Sequence, residues 1–264
     1  MAIRQKTRVE PTARRVRTMF GGEVIADTTD AKLVWEGPVP WYWIPTSDVT
    51  PGHLVATGAT DPRPGLGTAV IHTVKTGAAE ATDAAWTLAE PEQATLQDHV
   101  RFDWDAMDAW FEEDEQIHVH PRDPYHRVDV LPSSRRIEVR VDGETIADTT
   151  RAMLLFETGL PTRYYLPILD VKSHRLIRSK TRTACPYKGS ASYWNVTGAA
   201  GDADDLVWGY EAPIPESGRI TGLVCFFNES ERIEIIVDGK TQERPRTYWS
   251  SHTPDEAVGS QTDE

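Results

Sequence analysis

The chain has 264 residues, 28 Lys+Arg against 41 Asp+Glu for a formal charge of −13, 18 Gly, 18 Pro and only 2 Cys. That length holds one large domain or two small ones, and the acidic balance argues against a nonspecific nucleic-acid binder, which needs a basic face. Two cysteines make neither a disulfide framework nor a four-thiolate zinc site, and no apolar run reaches the roughly 20 residues of a membrane-spanning helix.

The opening Met1-Ala2-Ile3-Arg4-Gln5-Lys6 is charged with no apolar stretch behind it, unlike a secretory signal. The expectation is a cytoplasmic, soluble protein with no nucleic-acid or membrane partner, monomer or homodimer. Residues 1–13 read as a tail.

A first repeat is expected over 14–120. It announces itself through Gly22-Glu23-Val24-Ile25-Ala26-Asp27-Thr28-Thr29, which returns as Gly143-Glu144-Thr145-Ile146-Ala147-Asp148-Thr149-Thr150. The match continues: Lys32 to Glu36 answers Met153 to Glu157, Pro64 and Gly67 fall opposite Pro186 and Gly189, and Trp86 opposite Trp208. A period of about 120 residues is too long for a solenoid and fits a duplicated domain. Within this first repeat, Trp104, Met107 and Trp110-Phe111 recur at helical spacing after a capping Asp103, so Asp103–Glu115 predicts a short amphipathic helix inserted in the first copy.

The stretch 121–136 carries three prolines and reads as a stiff connector. Around it His118, His120, Asp123 and His126 allow a metal reading, since two histidines two apart on a strand share a face. The spacing is no recognised ligand pattern, and no metal is expected. Arg122 and Asp123 fit an ion pair fastening the two halves, or, with His120, a role in a shared pocket.

The second repeat, 137–247, reads as short strands. Val139 and Val141 alternate into an Asp142-Gly143 turn, Arg163 to Pro167 and Gly222 to Phe227 are rich in large apolar residues, and Ile233 to Val237 closes on Asp238-Gly239. Prolines and glycines part the strands as in an antiparallel sandwich or barrel-like fold, so the class is mainly β. Residues 248–264 read as an acidic tail.

Three patterns carry candidate chemistry. On the turn Cys185-Pro186-Tyr187-Lys188-Gly189 an ammonium can stabilise a nucleophilic thiolate. The alternative is a small buried Cys185 and a solvated Lys188. The first copy has Arg63 and Leu66 at these places, so any site here belongs to the second. Gly189-Ser190 followed by Asp202-Ala203-Asp204 fits a Gly-Ser…Asp-x-Asp nucleotidyltransferase signature, but that wants a helix where residues 191–197 read as strand. Among the aromatics, Tyr164, Tyr187, Trp194, Trp208 and Tyr210 are candidates to bind a small-molecule ligand, the alternative being core.

The Gly-Glu-x-Ile-Ala-Asp-Thr-Thr opening, the Tyr164-Tyr165-Leu166-Pro167 strand, Cys185 to Gly189 with Tyr193-Trp194, and Trp208-x-Tyr210 together resemble family 427 of the domains of unknown function. The likeness covers nearly the whole chain as two copies, the second closer to the pattern, and the Trp104 to Tyr125 stretch resembles actinobacterial two-copy members. The resemblance implies two tandem β-tent-like antiparallel domains, an architecture shared with methionine sulfoxide reductase B and zinc-bearing modules. No Cys-x-x-Cys knuckle is present, so no zinc is carried over. It also implies a nucleotidyltransferase label. The functional expectation is a cofactor-independent enzyme acting on a small organic metabolite, with Cys185, Lys188, His120, Arg122 and Asp123 as catalytic candidates and the pocket in the second repeat or between repeats. The alternatives are a noncatalytic small-ligand or scaffold module and a Mg²⁺-dependent nucleotidyltransferase.

Overall fold

A computed structural model of the chain describes residues 7–197 and 203–247. It divides into two compact units, Met1–Asp123 and Pro124–Glu264. The first contains β1 (Arg8–Pro11), β2 (Val16–Phe20), β3 (Glu23–Thr28), β4 (Lys32–Trp35), β5 (Pro40–Pro45), β6 (Leu54–Arg63), β7 (Gly67–Lys75), β8 (Glu80–Pro91), β9 (His99–Phe102), β10 (Ala109–Glu112) and β11 (Glu115–Ile117). The second contains β12 (Val128–Ser133), β13 (Ile137–Val141), β14 (Glu144–Thr149), β15 (Ala152–Glu157), β16 (Arg163–Pro167), β17 (Leu176–Cys185), β18 (Gly189–Val196), β19 (Ala203–Gly209), β20 (Leu223–Phe226), β21 (Ile233–Val237) and β22 (Lys240–Thr241).

Each unit holds a seven-stranded and a four-stranded sheet. The larger sheets run β1-β4-β5-β9-β8-β7-β6 and β12-β15-β16-β20-β19-β18-β17, and the smaller β11-β10-β2-β3 and β14-β13-β21-β22. Strand for strand the two orders are the same, so the duplication read from the sequence is a duplication of topology. The chain is mainly β and antiparallel, as expected.

The repeated octapeptide is structural. Thr28 Oγ1 donates to Asp48 Oδ2 at 2.6 Å, and Thr149 Oγ1 to Asp170 Oδ2 at 2.6 Å, tying each small sheet to the 3-10 turn after β5 or β16. Asp27 pairs with Arg15 and Asp148 with Arg136 across the first hairpin of each unit.

In each unit the large and small sheets pack face to face. The first core holds Val16, Ile25, Leu33, Tyr42, Ile44 and Phe102, and the second Val139, Ile146, Leu154, Leu166, Val224 and Phe226. Strand alternation gives each large sheet an opposite, outer face. That face is buried too: Val34, Trp43, Ile71, Trp86 and Leu88 cluster on it in the first unit, and Leu155, Tyr165, Tyr193, Tyr210 and Cys225 in the second. The connection after β8 or β19 covers it, with Leu96 and Ile220 buried at the respective 3-10 turns.

Three expectations change. Asp103–Glu115 is not a helix: one turn, with Asp105 N–H on Asp103 Oδ1 at 3.3 Å, leads into the β10–β11 hairpin. Nor is it an insertion, because Trp110 pairs with Thr18 as Ile235 pairs with Val139. The helical spacing misled because Trp104 and Trp110 are both buried but stack across a turn, centroids 4.7 Å apart, instead of lying along one helix face. The expected connector 121–136 contains β12, an edge strand of the second large sheet, and the expected tail 1–13 contains β1. The acidic tail 248–264 lies outside the described residues.

The hairpin glycines opposite one another in the two copies both need left-handed backbone, Gly67 at φ +123 and Gly189 at φ +96. A Cβ on Gly67 would meet the Glu90 carbonyl oxygen at 2.3 Å, whereas one on Gly143, at φ +81, meets nothing within 4 Å. Gly67→Ala is therefore expected to cost more than about 2 kcal/mol, against about 1 kcal/mol for Gly143→Ala, where only the backbone preference is lost. Urea unfolding of the full chain measures both, and equal costs would contradict the close approach at Gly67.

Candidate functional site

The outer face of the large sheet is where the two copies part chemically. Strand pairing sets the correspondence: Met153↔Tyr165 matches Lys32↔Trp43, Tyr193↔Trp208 matches Ile71↔Trp86, and the Cys185↔Gly189 turn matches Arg63↔Gly67. The first copy thus places Trp43, Leu66, Ile71 and Leu88 where the second places Tyr165, Lys188, Tyr193 and Tyr210. An apolar layer in one copy is a layer of phenols and an ammonium in the other.

Lys188 follows the turn at the end of β17, and its N–H returns to the Cys185 carbonyl at 3.3 Å. Its side chain points into the sheet, not into water. Lys188 is 8% exposed and Glu157, at the end of β15, is 9% exposed. Lys188 Nζ donates to Glu157 Oε2 at 2.5 Å, while His126 Nε2 lies 3.0 Å from Glu157 Oε1. The His126 ring is stacked on Tyr187, centroids 4.0 Å apart and planes 17° from parallel. Ser217 Oγ in turn donates to the Tyr187 carbonyl at 2.9 Å. The alternative of a solvated Lys188 does not hold, and Cys185 is half-buried beside it.

Burial alone would lower the Lys188 ammonium, but Cys185 and Glu157, through charge and hydrogen bonding, outweigh it and hold it above its usual value. Burial likewise pushes the Glu157 carboxyl up, and the His126 hydrogen bond and Lys188 overcome that and hold it below the ordinary carboxylate value. The pair is charged. Around it Tyr210 and Tyr165 are pushed well above the ordinary phenol value by burial, so both remain neutral hydrogen-bonding groups. Trp208 Nε1 donates to Tyr165 Oη at 3.2 Å, and Thr183 and Tyr193 share a hydroxyl bond of 2.9 Å.

The candidates from sequence divide. Cys185, Lys188, Tyr187, Trp208 and Tyr210 come together on the outer face of the second unit. Tyr164 and Trp194 lie on the inner face, packed against the core between the sheets. Lying beside turns does not decide the face, because adjacent strand positions face opposite ways. His120, Arg122 and Asp123 belong to the first unit. There the buried His120 has Nδ1 2.7 Å from the Pro121 carbonyl, Arg122 pairs with Glu115 at 2.6 Å, and Asp123 accepts from Trp35 Nε1 at 3.0 Å. Arg122 and Asp123 thus each have a partner within that unit. His118 and His120 follow β11 and do not share a strand face: His118 is exposed and His120 buried. Among the described residues no three His, Cys, Asp or Glu side chains gather as a metal site. Gly189-Ser190 runs directly into strand β18 and not into a helix; Asp204 is exposed on β19, and Asp202 lies outside the described residues.

Reasoning from sequence missed Glu157, Tyr165 and Tyr193, and it weighed His126 only as a metal ligand. One signal was present: Glu157 falls opposite Glu36 in the matched segment, so an acid stands at that place in both copies. Missed as well was a second buried pair. Arg163 donates to both oxygens of Glu229, at 2.5 and 2.6 Å, and to Asn228 Oδ1 at 2.5 Å. Behind it Cys225 is pushed up to about 12 by burial.

Two outcomes follow. Because the folded value of Glu157 lies below its unfolded value of about 4.3, its stabilising share is present above that pH and lost as pH falls through the folded value. Unfolding curves below about pH 4.5 should therefore fall less steeply for Glu157→Gln than for the native chain, and parallel curves would refute the charged pair. In native protein, iodoacetamide should modify the half-buried Cys185 and spare the buried Cys225 until the chain unfolds, as peptide mass mapping would show.

The model of a single family, "Domain of unknown function (DUF427)", matches residues 8–113 and again 129–239. No curated protein matches the chain. The two matched stretches coincide with the two copies of one sheet pair, and together they cover most of the sequence: the chain belongs to the DUF427 family, as a two-copy member.

Proposed function

We propose that the second copy is an enzyme acting on a small organic molecule, with Cys185 as its nucleophile. The observation that carries this is the internal comparison. Both copies form the same sheet pair, yet only the second buries an ammonium beside a thiol, and the first fills the equivalent place with Leu66. A buried ion pair adds little to stability compared with apolar packing of the same volume. The first copy pairs its matching acid, Glu36, with Arg101 on a strand and carries Leu66 at the place of Lys188, so an ammonium beside the thiol is more readily explained by chemistry than by the fold.

In this reading the Lys188 ammonium, fixed by Glu157, supplies the positive charge that favours a thiolate in its neighbour. His126, bonded to Glu157 and stacked on Tyr187, stands at the rim as the group able to carry a proton. Tyr187, Trp208 and Tyr210 offer aromatic faces and hydroxyls for a small substrate. The reading uses the second copy alone.

The competing reading is a noncatalytic binding or scaffold module. It is favoured by the mutual satisfaction of the buried groups, in which Trp208 bonds Tyr165 and Thr183 bonds Tyr193.

Lys188→Met separates the two. If the ammonium activates the thiol, the rate of Cys185 alkylation at pH 7 should fall about tenfold, while circular dichroism stays native. An unchanged rate in a folded variant would leave only the binding or scaffold reading.

A further inference from the structure

A second site lies on the other side of the same sheet. A groove of about 440 Å³ opens in the second unit beside Tyr164, Asn228, Ile233, Ile235, Gln242 and Arg244. Its size falls within the roughly 300–1,000 Å³ of small-ligand sites. None of the outer-face residues Cys185, Lys188 or Glu157 lines it.

The first copy shows what this space holds when it is closed. Strand register puts Tyr42 at the place of Tyr164, Trp41 at that of Arg163 and Trp110 at that of Ile235. Trp104, two residues past the end of β9, answers Asn228, two past the end of β20, and each touches its copy's equivalent neighbour: Trp104 packs on Trp41, and Asn228 bonds Arg163. In the first copy two parallel, stacked indoles fill the region. Trp104 and Trp110 stack with centroids 4.7 Å apart and planes 2° from parallel, and the Tyr42 ring flanks them at 6.5 and 6.0 Å. In the second copy both indoles are gone, the tyrosine remains, and the groove is open.

The walls left behind are shaped and polar. Ile233 and Ile235 are buried and give an apolar floor. Arg163 donates to Asn228 Oδ1, which fixes the amide and leaves its Nδ2 hydrogens without a hydrogen bond among the described residues. Arg163 cannot yield this role easily, because Glu229 holds its guanidinium with two further bonds. In the first copy the Tyr42 hydroxyl donates to Glu112; strand register puts Val237 at the place of Glu112 in the second, and the Tyr164 hydroxyl makes no hydrogen bond among the described residues. An aromatic ring, an apolar floor and two fixed polar groups suit a flat ring that carries its own acceptors.

We infer that the second unit binds a planar heteroaromatic small molecule in this groove, the ligand taking the place that the Trp104 and Trp110 side chains occupy in the first. The site is independent of the Cys185 reading and stands or falls alone.

The test is saturation-transfer NMR on the full chain with adenine, quinazoline and nicotinamide at millimolar concentration. At least one probe should bind the native chain, and Ile235→Trp, which restores one indole of the first copy, should weaken it by about tenfold or more. Should that variant fail to fold by circular dichroism, Thr162→Trp on the half-buried rim takes its place, with the same expectation. Cys185→Ala should bind the probe as the native chain does, which separates this groove from the outer face. Absence of binding by all three probes, or binding undiminished in the folded filled variant, would overturn the inference.

Discussion

Both faces of the seven-stranded sheet are buried, and that constraint governs everything the second copy does differently. The inner face must match the small sheet, so it stays apolar in both copies: Tyr42, Ile44 and Val100 in one, Tyr164, Leu166 and Val224 in the other. Among the described residues the outer face is covered by a connecting segment with its 3-10 turn, so its residues can change without disturbing the sheet pairing. Change there still has a condition. A polar atom away from water needs a partner, or it costs several kcal/mol. Lys188 is admissible because Glu157 lies within hydrogen-bond reach, and Glu157 is admissible because Lys188 and His126 divide its two oxygens between them. Charge, burial and hydrogen bonding form one network, and its members have to be present together.

How much of this was legible before the coordinates depends on which period a residue obeys. The strand positions, the duplication and the place of the Cys185 to Gly189 turn all follow from local patterns, and each is found where the pattern puts it. The octapeptide was visible as a repeat but silent about its purpose. It repeats because the Thr28–Asp48 and Thr149–Asp170 bonds anchor the same turn twice, which takes identical side chains and carries no reaction. The helix expected over Asp103–Glu115 failed for a definable reason: three buried apolar positions, Trp104, Met107 and Trp110, satisfy a spacing of three or four equally well when a turn and a strand bring them together. Two of the aromatic candidates, Tyr164 and Trp194, fall one position away from the outer face. Tyr164 and Tyr165, or Tyr193 and Trp194, are equal as letters, and only the register decides which of each pair faces Lys188.

A buried ionic pair in the second unit, Arg163 with Glu229, and an aromatic cluster in the first are different solutions to the same spatial problem. In the first copy Trp41, Tyr42, Trp104 and Trp110 fill the volume beside the inter-sheet core with rings. In the second, Arg163 and Glu229 occupy the base of that region. Burial would lower the Arg163 guanidinium, and the two bonds from Glu229 more than restore it. A guanidinium held in this bidentate fork has a fixed plane, and its third donor then fixes Asn228. Rings fill space; the ionic pair occupies less of it and orients a neighbour. The open groove is a consequence of that exchange, since two indoles were replaced by an amide and an isoleucine.

The acid common to both outer faces ties these comparisons together. Glu36 accepts from Trp43 Nε1 at 2.8 Å and lies 3.4 Å from Arg101, whose guanidinium is held between Trp41 and Trp86, 4.5 Å from each ring centre. Glu157 sits at the matching place, but Tyr165 and Cys225 have replaced Trp43 and Arg101, so both former donors are lost. A carboxylate in that position cannot be left bare. Its new donors come from elsewhere in the chain: Lys188 from the hairpin turn, and His126 from the segment before β12. The acid therefore stayed in place while its cation moved from a strand in the middle of the sheet to a turn at its edge, next to Cys185. A purely structural requirement was already met by the arginine of the first copy. Placing the charge on the cysteine turn is the step that structure alone does not require, and it sets an ammonium beside a thiol, an arrangement that the first copy lacks.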